Sequence, residues 1–163
     1  MNPLWWYRDN LTGKRMWVVM KAIGQTYNHF DLRGKTILDV GADFGLSPMH
    51  FIDHGAKSVI AYSLERQRNW LKHRDVEWHK QKWDYSTHQA DIFKIDCEGC
   101  EYGMPIKWYF RNFDKMYIAI HYFPHSADEF KTYRDYIQTH DGKLILQADN
   151  EWMYLVDNGV TIE

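Results

Sequence analysis

Within nine residues, Phe93-Lys-Ile-Asp-Cys-Glu-Gly-Cys-Glu101 carries three carboxylates, Asp96, Glu98 and Glu101, at the end of a short apolar run. Acids crowded at a strand end are costly unless solvated, paired or ligand-bound, so at least one pKa should be raised. Asp96 and Glu98 could orient a substrate hydroxyl, accept its proton or hold a divalent cation. The structural alternative is that they cap the following helix and pair with Lys94 or Arg111. His121 closes a second apolar run and stands where a general base would, the alternative being a structural or solvated ring. With His125 it makes H-x-x-x-H, but Pro124 argues against a continuous helix presenting both rings to a metal, and no metal is expected. Cys97 and Cys100 are the only cysteines. A structural zinc site would need two more close ligands, so small buried side chains are expected there rather than a disulfide.

These groups need elements to hold them. Thr36 to Val40 is an apolar run followed at once by the turn Gly41-Ala-Asp-Phe-Gly45. Leu46, Met49, Phe51 and Ile52 then recur at roughly helical spacing up to Gly55, and Ser58 to Ser63 is apolar again. This is a strand–helix–strand unit of about 30 residues, the size of a βαβ crossover. The glycines allow a tight bend and close approach of a ligand, and the helix start offers free N–H groups.

The spacing D-x-G-x-x-x-G from Asp39 to Gly45 resembles motif I of the S-adenosylmethionine (SAM)-dependent methyltransferases. Lys94, Ile95, Asp96, Glu98, Gly99 and Glu101 match the K-I-D-x-E-G-x-E signature of the FkbM family within that superfamily. The resemblance runs from about Thr36 to the C-terminus. It implies SAM as cofactor, held by Asp39, Gly41, Ala42 and Gly45. The superfamily places an acid for the ribose hydroxyls at the end of the second strand; here Ser63 stands there, with Glu65 two residues on. Asp84 and Tyr85 are candidates to face the adenine. Asp96, Glu98 and His121 are the catalytic candidates, and alanine at 119 replaces a residue that is often acidic in the family.

The remaining chain suits that frame. Glu65 to Lys72 reads as a short helix, and Val76 to Gln81 and Asp91 to Asp96 read as the third and fourth strands. In the sheet order 3-2-1-4-5-7-6, only Lys82 to Ala90 connect them across three strand spacings, about 22 Å diagonally. Nine extended residues reach about 30 Å, so the crossover must be an extended loop or a single turn. A helix broken near Pro105, a strand Met116 to His121 and a helix Ala127 to His140 capped by Ser126 follow. A hairpin of Lys143 to Gln147 and Trp152 to Val156 closes the sheet. Residues 1–35 are expected to be a helical cover, with a helix from Asn10 or Thr12 to about Asn28 and a Trp5-Trp6-Tyr7 cluster of undecided role.

At 163 residues the chain is long enough to bury one sizeable core. A formal charge of −2 favours neither nucleic acid nor acidic membranes as partner. Arg66, Arg68, Lys72, Arg74, Lys80 and Lys82 interleave with Trp70, Trp78 and Trp83, yet Glu65, Asp75 and Glu77 dilute them, so a solvated edge is preferred. No apolar run is long enough to span a membrane, and no signal-peptide layout is present; the expectation is a cytoplasmic protein. The reading is therefore a single α/β domain, a Rossmann-like methyltransferase fold with a seven-stranded, mostly parallel sheet whose last strand is antiparallel. Its expected activity is O-methyl transfer to a hydroxyl of a small molecule or sugar. A non-catalytic binding or assembly module and a nucleic-acid methyltransferase are the alternatives.

Overall fold

The computed structural model describes residues 23–65, 73–148 and 150–159. The expected start of the N-terminal helix, the Trp5-Trp6-Tyr7 cluster, most of the helix expected from Glu65 to Lys72, and Asp149 lie outside these. After α1 (residues 23–27) come β1 (Thr36–Val40), α2 (Leu46–Asp53), β2 (Ser58–Ser63) and β3 (Val76–Lys80). They are followed by β4 (Ile92–Ile95), a 3-10 turn (Cys100–Gly103), α3 (Ile106–Asn112) and β5 (Lys115–His121). A short 3-10 turn (Pro124–Ser126), α4 (Ala127–Thr139), β6 (Lys143–Ala148) and β7 (Glu151–Asp157) complete the described residues.

The seven strands form one sheet in the order β3-β2-β1-β4-β5-β7-β6. β1 through β5 pair in parallel, and β7 runs antiparallel to both β5 and β6. Both faces of the sheet are covered, which is why its central strands read as unbroken apolar runs rather than alternating ones. Leu38, Phe93 and Ile118 point to the side packed by Tyr109 of α3, by Phe113 just after it, and by Phe130, Tyr133 and Ile137 of α4. Their neighbours Ile37, Ile92 and Tyr117 point to the other side, packed by Tyr27, Phe30, Leu32 and Phe51.

The β3-to-β4 crossing is a loop without helix, as its length required. Trp83 anchors it: its indole N–H donates to the Ser86 carbonyl at 3.0 Å while the ring packs on Phe93 and Tyr109. Two local expectations are corrected. Ser126 does not cap α4 with its hydroxyl, which turns back to the Phe123 carbonyl at 3.4 Å. The buried face of α2 is Ser47, Pro48, His50 and Phe51, whereas Leu46, Met49 and Ile52 are only half-buried.

α2 therefore buries two polar groups, each with a partner. His50 packs against Tyr27 and Phe51, and its Nε2 lies 3.0 Å from the Asn28 side-chain oxygen. Burial, with the tilted His54 ring centred 4.0 Å away, lowers its pKa to about 4. The unfolded chain, with histidine near 6.5, takes up a proton that the folded chain refuses. Stability contributed by neutral His50 is thus complete above pH 6.5 and lost as pH falls towards 4, by on the order of 3 kcal/mol in total. Urea unfolding between pH 7 and pH 4 should show that slope, and His50→Gln should flatten it. An identical slope in the variant would assign the acid sensitivity to another group.

Candidate functional site

The turn after β1 is stitched to both neighbouring strands. The Gly41 and Ala42 amides donate to the Tyr62 carbonyl at 2.9 and 3.1 Å, and the Asp96 amide donates to the Val40 carbonyl at 3.0 Å. Gly41 sits at φ +82°, and a Cβ there would overlap the Asp96 carbonyl. Its glycine is therefore required by the end of β4 crossing over it. Gly45 is left-handed at φ +107° and precedes α2, with its amide donating to the Ala42 carbonyl.

Beneath this turn lies a buried ion pair. Asp39 is fully buried, with its carboxylate 2.9 Å from the Lys94 ammonium and accepting from the Ser47 hydroxyl at 2.6 Å. Lys94 also donates to the Gly41 carbonyl at 2.7 Å. Burial pulls the Lys94 pKa down, but Asp39 and Asp96 outweigh it and hold the pKa above the ordinary lysine value. Asp39 thus braces the turn from below and lies off the cavity wall.

Above the carboxyl ends of β1, β2 and β4 opens a cavity of about 640 Å³. Gly41 and Asp43 of the turn, Ser63 to Glu65 after β2, Trp83 and Tyr85 of the crossover, and the segment from Asp96 to Cys100 line it. Of the residues expected to hold cofactor, Gly41, Ser63 and Glu65 are on its wall; Asp39, Ala42, Gly45 and Asp84 are not. Ala42 is buried with its amide already used. Asp84 accepts from the Ser86 amide at 3.0 Å, leaving the flanking rings of Trp83 and Tyr85 on the cavity. The Ser63 hydroxyl donates to the Asp43 carbonyl at 2.8 Å and accepts from the Glu65 amide at 3.0 Å. It is a joint between turn and strand, and Glu65 is the carboxylate left exposed beside it.

The three acids of the second motif separate. Asp96 is half-buried just past β4, where Tyr27 donates to it at 3.3 Å. Glu98 is exposed on the cavity wall at φ +52°. Glu101 is fully buried and acts as a clamp: it accepts from the Gly99 amide at 2.7 Å, the His121 amide at 3.0 Å and His121 Nδ1 at 2.9 Å. Neither helix-capping by Asp96 or Glu98 nor pairing with Arg111 occurs among the described residues. Cys97 and Cys100 are joined by a disulfide, contrary to the expectation of buried thiols. The 3-10 turn brings their Cα atoms to 5.5 Å, within bridging range, and both line the cavity.

His121 is buried behind Asp96 rather than on the cavity wall. Since Glu101 can only accept, Nδ1 carries the proton shared with it, and Nε2 faces Asp96 at 3.7 Å. Burial pulls its pKa down, but Glu101, Asp96 and Glu151 more than offset this and raise it above 6.5. Glu151, unnoticed in the sequence, lies directly across from His121 in the β5–β7 register. Burial and the nearby Asp96 carboxylate push its pKa up. The signal for it was weak: a polar residue at the first position of a closing strand. Ala119 is wholly buried opposite Met153 and offers no polar group.

No protein-family profile matches the chain. It is similar to uncharacterized protein 65 of Sulfolobus islandicus filamentous virus (isolate Iceland/Hveragerdi), 35% identical over 104 residues, 59% of this chain and 65% of that one. It is also similar to uncharacterized protein 158B of Sulfolobus islandicus rod-shaped virus 1, 30% identical over 105 residues, 58% of this chain and 66% of that one. Each match thus spans just under two thirds of the relative's length. Among solved structures, a ribosomal protein L11 methylase from Lactobacillus delbrueckii subsp. bulgaricus superposes with a TM-score of 0.56 at 13% identity, covering 90% of this chain and 79% of that one. A Streptococcus pneumoniae protein, provisionally described as a tRNA (m1A22) methyltransferase and solved with S-adenosyl-L-methionine, gives 0.51 at 18% identity, covering 83% and 71%. The chain has the Rossmann-like methyltransferase fold. No helix of the described residues is long and apolar enough to cross a membrane.

Proposed function

We propose that the protein is a SAM-dependent methyltransferase of FkbM type that methylates a hydroxyl of a small molecule or sugar. The observation that supports this most is the cavity's position and make-up: it lies at the carboxyl ends of β1, β2 and β4, where open parallel sheets take ligands. Its volume falls in the range of small-ligand sites. Glu65 is the carboxylate suited to the ribose hydroxyls, and Trp83 and Tyr85 supply an aromatic wall for the base. Asp43 beside Gly41 suits the ammonium of the amino-acid end, and the acidic character of Asp96 and Glu98 suits a sulfonium cation. When bound, SAM supplies an electrophilic methyl group. The protein's own part is to hold the acceptor oxygen in line, with Asp96 as the group on the cavity wall able to orient a hydroxyl and take its proton.

Calorimetry with S-adenosylhomocysteine tests the pocket without knowledge of the acceptor. Glu65→Gln removes a charge-assisted hydrogen bond of about 1.5–3 kcal/mol, so affinity should fall about tenfold to hundredfold. Silence from the wild-type protein at millimolar ligand, with no change in melting temperature, would instead favour a binding or assembly module that keeps the fold.

A further inference from the structure

We propose that Asp96, His121 and Glu151 form a divalent-cation site on the β4–β5–β7 side of the cavity. Their candidate ligand atoms, one from each residue, all lie within 4.8 Å of one another. An ion with bonds near 2.1 Å holds its ligands about 3–4 Å apart, so small side-chain adjustments close the set around it. Three elements converge to make it: Asp96 follows β4, His121 ends β5, and antiparallel pairing sets Glu151 opposite His121.

The histidine is the independent observation that points to a ligand. Its side chain is only 6% exposed, yet Nε2 has no hydrogen-bond partner among the described residues and is aimed at Asp96 from 3.7 Å. Its other nitrogen is held at 2.9 Å by the fully buried Glu101, which also fixes the His121 amide. A histidine whose second nitrogen donates to a buried carboxylate is the usual supporting arrangement of a metal-bound imidazole, because it sets the tautomer and aims the free nitrogen. The nearby lysine does not serve as counterion by contact, since Lys94 is spent on Asp39 and the Gly41 carbonyl. Two carboxylates and one imidazole select a first-row ion such as Mn²⁺ or Zn²⁺ over Ca²⁺.

Three protein ligands leave positions open beside the cavity, because Asp96 belongs to both. That those positions receive the oxygen of the methyl acceptor rests on the methyl-transfer reading; the ion site itself does not. The experiment separates the two. Untagged full-length protein, stripped with chelator, is titrated with Mn²⁺ while the free ion is followed by electron paramagnetic resonance. S-adenosylhomocysteine binding is measured separately in metal-free buffer. Saturable one-to-one uptake of Mn²⁺ is expected, at least tenfold weaker in Glu151→Gln and in His121→Gln. Glu77→Gln, which removes the contact with His79 on the edge strand, should leave it unchanged. Near-native melting temperatures qualify each variant, and Asp96→Asn gives a third route if one misfolds. Failure to saturate by about 1 mM, or uptake that survives loss of Glu151 and His121, overturns the site whatever the nucleoside titration shows.

Discussion

Lys94→Met should destabilise the fold by about 3–5 kcal/mol, because it leaves the Asp39 carboxylate buried without its cation. Asp39 is wholly enclosed and Lys94 nearly so, so the surviving charge starts out shut away from water. For a domain of this size the loss corresponds to a fall in melting temperature of about 10 °C or more. Asp39→Ala should be comparably harmful, since among the described residues the ammonium then keeps only the Gly41 carbonyl as a close acceptor. The double variant should be better than the sum of its parts by about 1–3 kcal/mol, the coupling expected of contacting groups. Urea unfolding of the four proteins completes the cycle. Single variants costing less than about 1 kcal/mol would mean that water reaches this pair and that it does not brace the turn.

The second large effect is expected at Glu101. Glu101→Ala removes the acceptor for three N–H groups, those of Gly99, the His121 main chain and the His121 ring. Each buried donor left unmade costs about 1–3 kcal/mol, with partial relief by relaxation, so a loss of about 3–5 kcal/mol is expected. Glu101→Gln keeps one accepting oxygen but turns an amide N–H₂ towards a donor, and should fall between wild type and alanine. Hydrogen exchange gives a local readout: the Gly99 and His121 amides should lose protection well before those at the centre of β5. Uniform loss across the sheet would instead mark Glu101 as a general stabiliser with no special hold on the histidine.

Both cases show where sequence reasoning stops. The glycine turn after β1 and the acids after β4 were legible because their spacing is local: a strand, a bend and a helix start lie within ten residues. The sheet order followed from strand count and the resemblance, and the helix-free crossover from simple reach. What could not be read was the direction in which each acid points. Asp39, Glu101 and Asp96 look equivalent in the chain, but one is paired with Lys94 below the turn, one is closed around His121, and only Asp96 reaches the cavity. Ser63, expected beside the ribose, is on the cavity wall and also joins turn to strand.

By itself the sequence determined the βαβ unit, the seven-strand count and the two places where polar residues gather at strand ends. These depend on apolar periodicity and on glycine, properties of neighbouring residues. Tertiary structure alone decided that Cys97 bridges Cys100, that Glu65 rather than Asp84 edges the cavity, and that Glu151 meets His121 and Asp96 across three strands. Such meetings are set by β-sheet register, in which residues about 30 and 55 positions apart bring their polar atoms within 4.8 Å through pairings that no local pattern encodes.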